Sequence, residues 1–163
     1  EQDAFNRYIS FFISYNILYS LYAKKKKANA DLSKGDGDKA VAAMELLQET
    51  ADESLRKLSP KLSEYLDLIP AFREEFWPGK GPQPRVAISE KLKDAFEKGE
   101  SKVVLEMLVK WLYKIRCNLV HGDKGYDDLQ QQTLLVQSSQ LLEVLLGEMI
   151  VSFGRQYPEP CQS

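Results

Sequence analysis

Between Glu100 and Val120 the apolar residues fall at steps of three and four: Val104, Leu108, Trp111, Ile115 and Leu119, with Leu105 and Leu112 beside them. That spacing puts all of them on one face of an α-helix, and such a face is stable only when other elements cover it. The stripe runs into Leu119-Val120-His121-Gly122, where the glycine suits the residue just past a helix end. A chain built on this segment needs further helices, and the rest of the sequence has the periodicity to supply them.

The first segment, about Asp3 to Asn29, contains no Gly or Pro and has apolar or aromatic residues at 5, 8, 9, 12, 13, 15, 17, 18, 19, 21 and 22. These positions go almost all round a helix, which implies contact on more than one face and so a partner subunit. The run Tyr8 to Ala23 is short for a membrane span, carries Ser10, Ser14, Asn16 and Ser20, and follows acidic rather than basic residues. A buried helix is therefore expected, with no membrane association. Asn16 reads first as a hydrogen-bonded core group, because most buried polar groups find a partner. The sharper reading makes it a polar group at a dimer seam near the functional site. Lys24 to Lys27 reads first as a solvated helix end, where cations meet the negative pole, and second as an RNA contact.

Asp31 to Asp38 is a Gly-rich turn, not a calcium loop, since Ala42 stands where a bidentate Glu is required. Asp38 is the expected N-cap of a helix over Lys39 to Leu58, and Pro60 is expected to begin a separate short helix that Pro70 ends. The stretch Phe76 to Arg85 has three prolines and two glycines and reads as a loop whose Gly-Lys-Gly lacks P-loop spacing. Ser89 to Lys98 reads as a small helix closed by Gly99. A last long helix starts at Asp127 or Asp128 and runs to about Phe153, with the tail after Pro158 loose. Nothing reads as strand. The expectation is a single all-α domain over 1–163, an antiparallel helical bundle of about four long helices plus short ones.

The chain has 163 residues, and 22 Lys and Arg against 24 Asp and Glu give a net charge of −2, so any RNA contact has to come from a local patch. Two cysteines, Cys117 and Cys161, make no disulfide framework and favour a reducing, cytoplasmic compartment. One histidine and scattered acids offer no metal-ligand spacing, and no cofactor motif is present.

That histidine, His121, stands five residues after Arg116 and three before Lys124. A histidine near a helix C-terminus interacts well with the dipole, and Arg116 can be an ordinary surface charge. On an ideal helix five residues turn about 500°, leaving Arg116 and His121 roughly 140° apart. They converge only if the helix unwinds near Gly122 or the arginine stem swings round. Asn118 and His121, three apart, share a face.

The pattern Arg116-x4-His121-Gly122-x-Lys124, with the aromatic-rich Ser14-Tyr15-Asn16-Ile17-Leu18-Tyr19 in the first helix, resembles the HEPN superfamily of all-helical proteins. Two positions depart from it: Cys117 follows the arginine where many members carry Asn, Asp or His, and Asp123 stands where one subgroup has a tyrosine. The resemblance implies a metal-independent endoribonuclease in which an RNA 2′-hydroxyl attacks its own phosphate, leaving a 2′,3′-cyclic phosphate. Arg116 and His121 would be catalytic and Asn118, Lys124 and Asn16 auxiliary, without cofactor or metal. It also implies a homodimer with a composite site, a setting in toxin–antitoxin systems or phage defence, and an antitoxin or operon partner. A single histidine cannot serve as both acid and base, whereas a two-fold dimer brings two. The alternatives are a catalytically silent module of the same shape that binds RNA, nucleotide or protein, and a purely structural helical dimer.

Overall fold

A computed structural model describes residues 2–26, 35–68, 88–120 and 129–158. Among these residues six α-helices follow in order: α1 (Gln2–Lys26), α2 (Asp36–Ala42), α3 (Ala51–Leu68), α4 (Ile88–Glu97), α5 (Ser101–Val120) and α6 (Leu129–Gln156). A 3₁₀ turn, Ala43–Leu47, links α2 towards α3. No strand occurs among the described residues, and the all-α bundle is the fold.

The α5 stripe does what its spacing requires. Val104, Leu108, Trp111, Ile115 and Leu119 are all buried, as are Leu105 and Leu112. On α6 the residues Leu134, Leu135, Leu141, Leu142, Leu145 and Met149 face the same core. Burying one such side chain contributes about 1.5–3 kcal/mol before conformational entropy is charged against it. Polar contacts fix the register between these apolar faces. The Trp111 Nε1–H donates to the Tyr65 hydroxyl at 2.8 Å, which lies 2.9 Å from Ser138 Oγ, so α5, α3 and α6 are joined through one buried chain.

Pairwise contacts give the helix directions. Lys57 meets Glu148 and Tyr65 meets Ser138, so α3 and α6 run antiparallel. Arg7 meets Glu143 while Tyr22 stacks near Tyr157, so α1 and α6 lie side by side in the same direction. α6 is long and apolar enough by composition to cross a membrane, but half of its apolar window is buried within the bundle, as in a core helix.

α1 is apolar on two faces. Tyr8, Phe12, Tyr15, Tyr19 and Tyr22 recur at alternating steps of four and three and point inward. Ile13, Ile17 and Leu21 form a second stripe that is 55%, 57% and 44% exposed.

Two boundaries differ from the sequence reading. α2 begins at Asp36 with Gly35 as its N-cap residue, not at Lys39 with Asp38. The Gly35 carbonyl accepts from the Asp38 and Lys39 amides, so both acids sit inside the first turn, where the helix dipole favours them. The chain also breaks at the 3₁₀ turn, and α3 then passes through Pro60 uninterrupted. Pro60 and Arg56 are exposed, so water can serve the Arg56 carbonyl that the proline cannot. Buried Leu55, Leu58, Leu62 and Tyr65 hold the helix against the core on either side. Gly99 closes α4 as expected, with a left-handed φ of 68° and the Glu100 amide donating back to the Ala95 carbonyl.

Candidate functional site

The site is built on the last turns of α5. Ile115 and Leu119 point into the core, which leaves Tyr113, Arg116 and Cys117 half-buried along the flank of the same helix. Arg116 lies three residues after Tyr113, and its guanidinium carbon stands 5.9 Å from the centre of that ring. Cys117 is a free thiol four residues after Tyr113 and acts on the phenol electrostatically and as a hydrogen-bond partner. Arg116 makes no ion pair with any described carboxylate, whereas Arg7 is satisfied by Glu143 at 2.9 Å.

Tyr113 is fixed from two sides. The Phe12 ring of α1 packs against it with centroids 5.9 Å apart. From α2, a Cβ added at Gly37 would come within 3.4 Å of its Cε1 carbon, so the backbone there rests close against the ring. The aromatic platform continues along α1, with Phe12 and Tyr15 at 5.8 Å and Tyr15 and Tyr19 at 5.3 Å, both edge-to-face.

The inward tyrosines of α1 differ in what their hydroxyls do. Tyr8 donates to the Leu112 carbonyl, Tyr15 to the Ala40 carbonyl at 2.6 Å, and Tyr22 to the Glu45 carboxylate at 2.8 Å. The Tyr19 hydroxyl is buried and has no hydrogen-bond partner among the described residues. Burial pushes its pKa up to about 12, reinforced by Asp36 and Tyr113 and opposed by Arg116. Burial also drives Tyr8 and Tyr15 well above the phenolic range and raises Tyr113. At neutral pH all four are protonated phenols.

Of the residues read as candidates from sequence, Arg116 is placed as described. Asn16 is half-buried on α1, and its Oδ1 accepts from Ser20 Oγ at 3.3 Å within the same helix, with no hydrogen bond to Arg116. The Asn118 backbone continues α5, but its side chain, together with His121 and Lys124, lies outside the described residues. α5 stays helical through Val120, so any unwinding that brings His121 towards Arg116 begins after that residue. A cavity of about 270 Å³, lined by residues including Met44, Glu45, Leu47, Lys102 and Glu106, opens beside the other half of α5. Glu106 is ten residues before Arg116, roughly 15 Å along the helix, so this cavity belongs to a different part of the molecule.

Sequence reasoning missed Tyr113 and Tyr19. The three-residue step from Tyr113 to Arg116 was a usable signal, because it puts the cation and the ring on one face. Nothing local distinguishes Tyr19 from Tyr8, Tyr15 or Tyr22. No protein-family model matches this chain, and no curated protein or solved structure matches it either.

Proposed function

We propose that the chain is a dimeric, metal-independent endoribonuclease of the HEPN type, with Arg116 and His121 as its catalytic pair. The observation that supports this best is Arg116 itself: a half-buried cation without a carboxylate partner among the described residues, near the end of α5 and five residues before the only histidine. A guanidinium that no described carboxylate pairs is suited to a phosphate, which it can bind through two parallel N–H donors.

The chemistry needs little else from the protein. One His121 imidazole removes the proton from the RNA 2′-hydroxyl, and that oxygen attacks the adjacent phosphorus. Arg116 neutralises the non-bridging oxygens as charge grows on the phosphorane. A second imidazole, in its protonated form, delivers a proton to the departing 5′-oxygen, leaving a 2′,3′-cyclic phosphate and a 5′-hydroxyl. An ordinary histidine pKa near 6.5 makes both forms available near neutrality. With one histidine per chain, base and acid come from two copies, and the outer stripe of α1, Ile13, Ile17 and Leu21, supplies an apolar face for pairing. Asn118, Lys124 and Asn16 would adjust binding without carrying the reaction. The setting would be a toxin or phage-defence effector held in check by a partner protein.

Incubation with total RNA in excess chelator tests the reading. Wild type should leave 2′,3′-cyclic phosphate ends and His121→Ala should leave none. A silent RNA-binding module is the second reading, favoured by Cys117 in the position where HEPN proteins often carry a polar side chain. RNA binding by wild type with no cyclic phosphate product would select it.

A further inference from the structure

The cavity beside the first half of α5 takes no part in the site described above. It lies where the end of α2, the 3₁₀ turn and the start of α3 meet the Lys102 to Glu106 stretch of α5. Alanines stand at two of its lining positions, Ala42 and Ala51, where longer side chains would take up the space. Much of the wall is carbon: Met44, Leu47, Ala51 and Leu105 are buried members of the core, and Val41 is half-buried against it. The charged lining residues differ in whether they are already paired. Glu45 accepts from the Tyr22 hydroxyl at 2.8 Å and pairs with Lys26, and Glu106 pairs with Lys110 one turn on. Lys102 has neither an ion pair nor a hydrogen bond among the described residues. The cavity thus combines an apolar wall with one unpaired ammonium, and Gln48 adds an uncharged amide.

We propose that this cavity binds a small carboxylic acid with an apolar body, its carboxylate on Lys102 Nζ and its hydrocarbon part against Met44, Leu47 and Leu105. Volume limits the size of that body. An apolar cavity of about 150 Å³ holds a benzene ring, so the 270 Å³ here takes one ring with a short chain, or a branched chain of similar bulk. Charge selects the head group. A cation would meet the unpaired Lys102 ammonium and find both lining carboxylates already paired with lysines. A doubly charged phosphate would place more charge against carbon than one lysine offsets. A single carboxylate matches the one charge left over. The site is independent of the ribonuclease reading, because Glu106, its last lining residue on α5, is roughly 15 Å along the helix from Arg116.

Three probes of nearly one shape test the site on the whole chain: phenylacetate, phenethyl alcohol and phenethylamine, titrated by calorimetry and by NMR of the labelled protein. Phenylacetate should bind with a Kd of about 1 mM or tighter, the alcohol several-fold more weakly and the amine most weakly. Resonance shifts should centre on Ala42, Leu47 and Leu105. Lys102 is exposed, so Lys102→Met keeps the aliphatic stem and should fold as wild type does. It should weaken phenylacetate about fivefold, the upper end of what an exposed ion pair contributes, and leave the alcohol unchanged. Lys102→Glu should invert the preference and favour phenethylamine over phenylacetate. Ala42→Phe, on the exposed rim, should weaken acid and alcohol together by taking up cavity volume. Equal affinity of wild type for the acid and the amine overturns the proposal, as does full phenylacetate affinity in Lys102→Met. So do resonance shifts centred away from the lining residues, or no saturable phenylacetate binding by wild type.

Discussion

Arg116 stacks on an aromatic face and pairs with no carboxylate among the described residues, which separates its contribution to folding from the catalytic part proposed for it. The stacking on Tyr113 contributes about 0.5–1 kcal/mol at a partly exposed position. Arg116→Ala should therefore fold normally by circular dichroism. The RNA cleavage proposed for it should fall by about a hundredfold or more, the usual cost of removing one donor to a transition-state oxyanion. Arg116→Lys should recover little of the rate, because an ammonium keeps the charge but loses the paired donors and the planar stacking. The tyrosines give a prediction in pH. Tyr19 is raised to about 12 by burial, and burial also raises Tyr8 and Tyr15 well above the usual phenolic value. An acid whose folded pKa lies above its unfolded value of about 10 stabilises the fold below that pH, and the contribution disappears as pH rises through the folded pKa. Stability should be level from pH 7 to 9 and fall steeply above pH 10, as read from urea midpoints, with a shallower fall in Tyr19→Phe. Arg116 was legible in sequence as half of a spaced pair. Tyr19 was not, because what sets it apart from its fellow tyrosines is the lack of a partner among the described residues, and partners come from other helices.

At the scale of helices, legibility followed the strength of the local signal. The α5 stripe and the Gly99 cap were readable because each is set by residues within a turn or two of one another. Pro60 was misread for the opposite reason. Its intrinsic cost in a helix is local, but the burial of Leu58, Leu62 and Tyr65 that outweighs it is a tertiary effect. That cost remains in the protein and is recoverable. Pro60 is exposed, so Pro60→Ala restores a backbone donor to the Arg56 carbonyl without disturbing the core. The gain of about 3 kcal/mol in helix propensity is partly offset by about 1 kcal/mol of added chain entropy in the unfolded state. A net stabilisation of about 1–2 kcal/mol should appear as a higher urea midpoint at unchanged m value. A lower midpoint would mean that the proline ring itself packs usefully on the surface.

For the whole molecule the proposed reaction requires a chain with one histidine to complete an acid–base pair, and α1 offers a physical route. Its inner stripe is consumed by the core, while Ile13, Ile17 and Leu21 remain exposed at successive turns, an arrangement that a second copy can cover. Sedimentation should give a species of twice 18.6 kDa at micromolar concentration. Ile17→Asp should give a folded monomer, since a side chain 57% exposed contributes little to the core but would bury a charge at the seam. The monomer should be inactive, because each site would lack one of its imidazoles. A compact wild-type monomer would remove the composite site altogether. Mixed dimers test the sharing directly. When wild-type chains exchange with His121→Ala chains, the heterodimer holds a single histidine, and a composite site that takes one imidazole from each subunit should be inactive in it. Titrating His121→Ala chains into wild type at constant total protein, in chelator, should then lower RNA cleavage with the square of the wild-type fraction for a shared site. If each chain carries its own complete site, the rate should fall in direct proportion to that fraction.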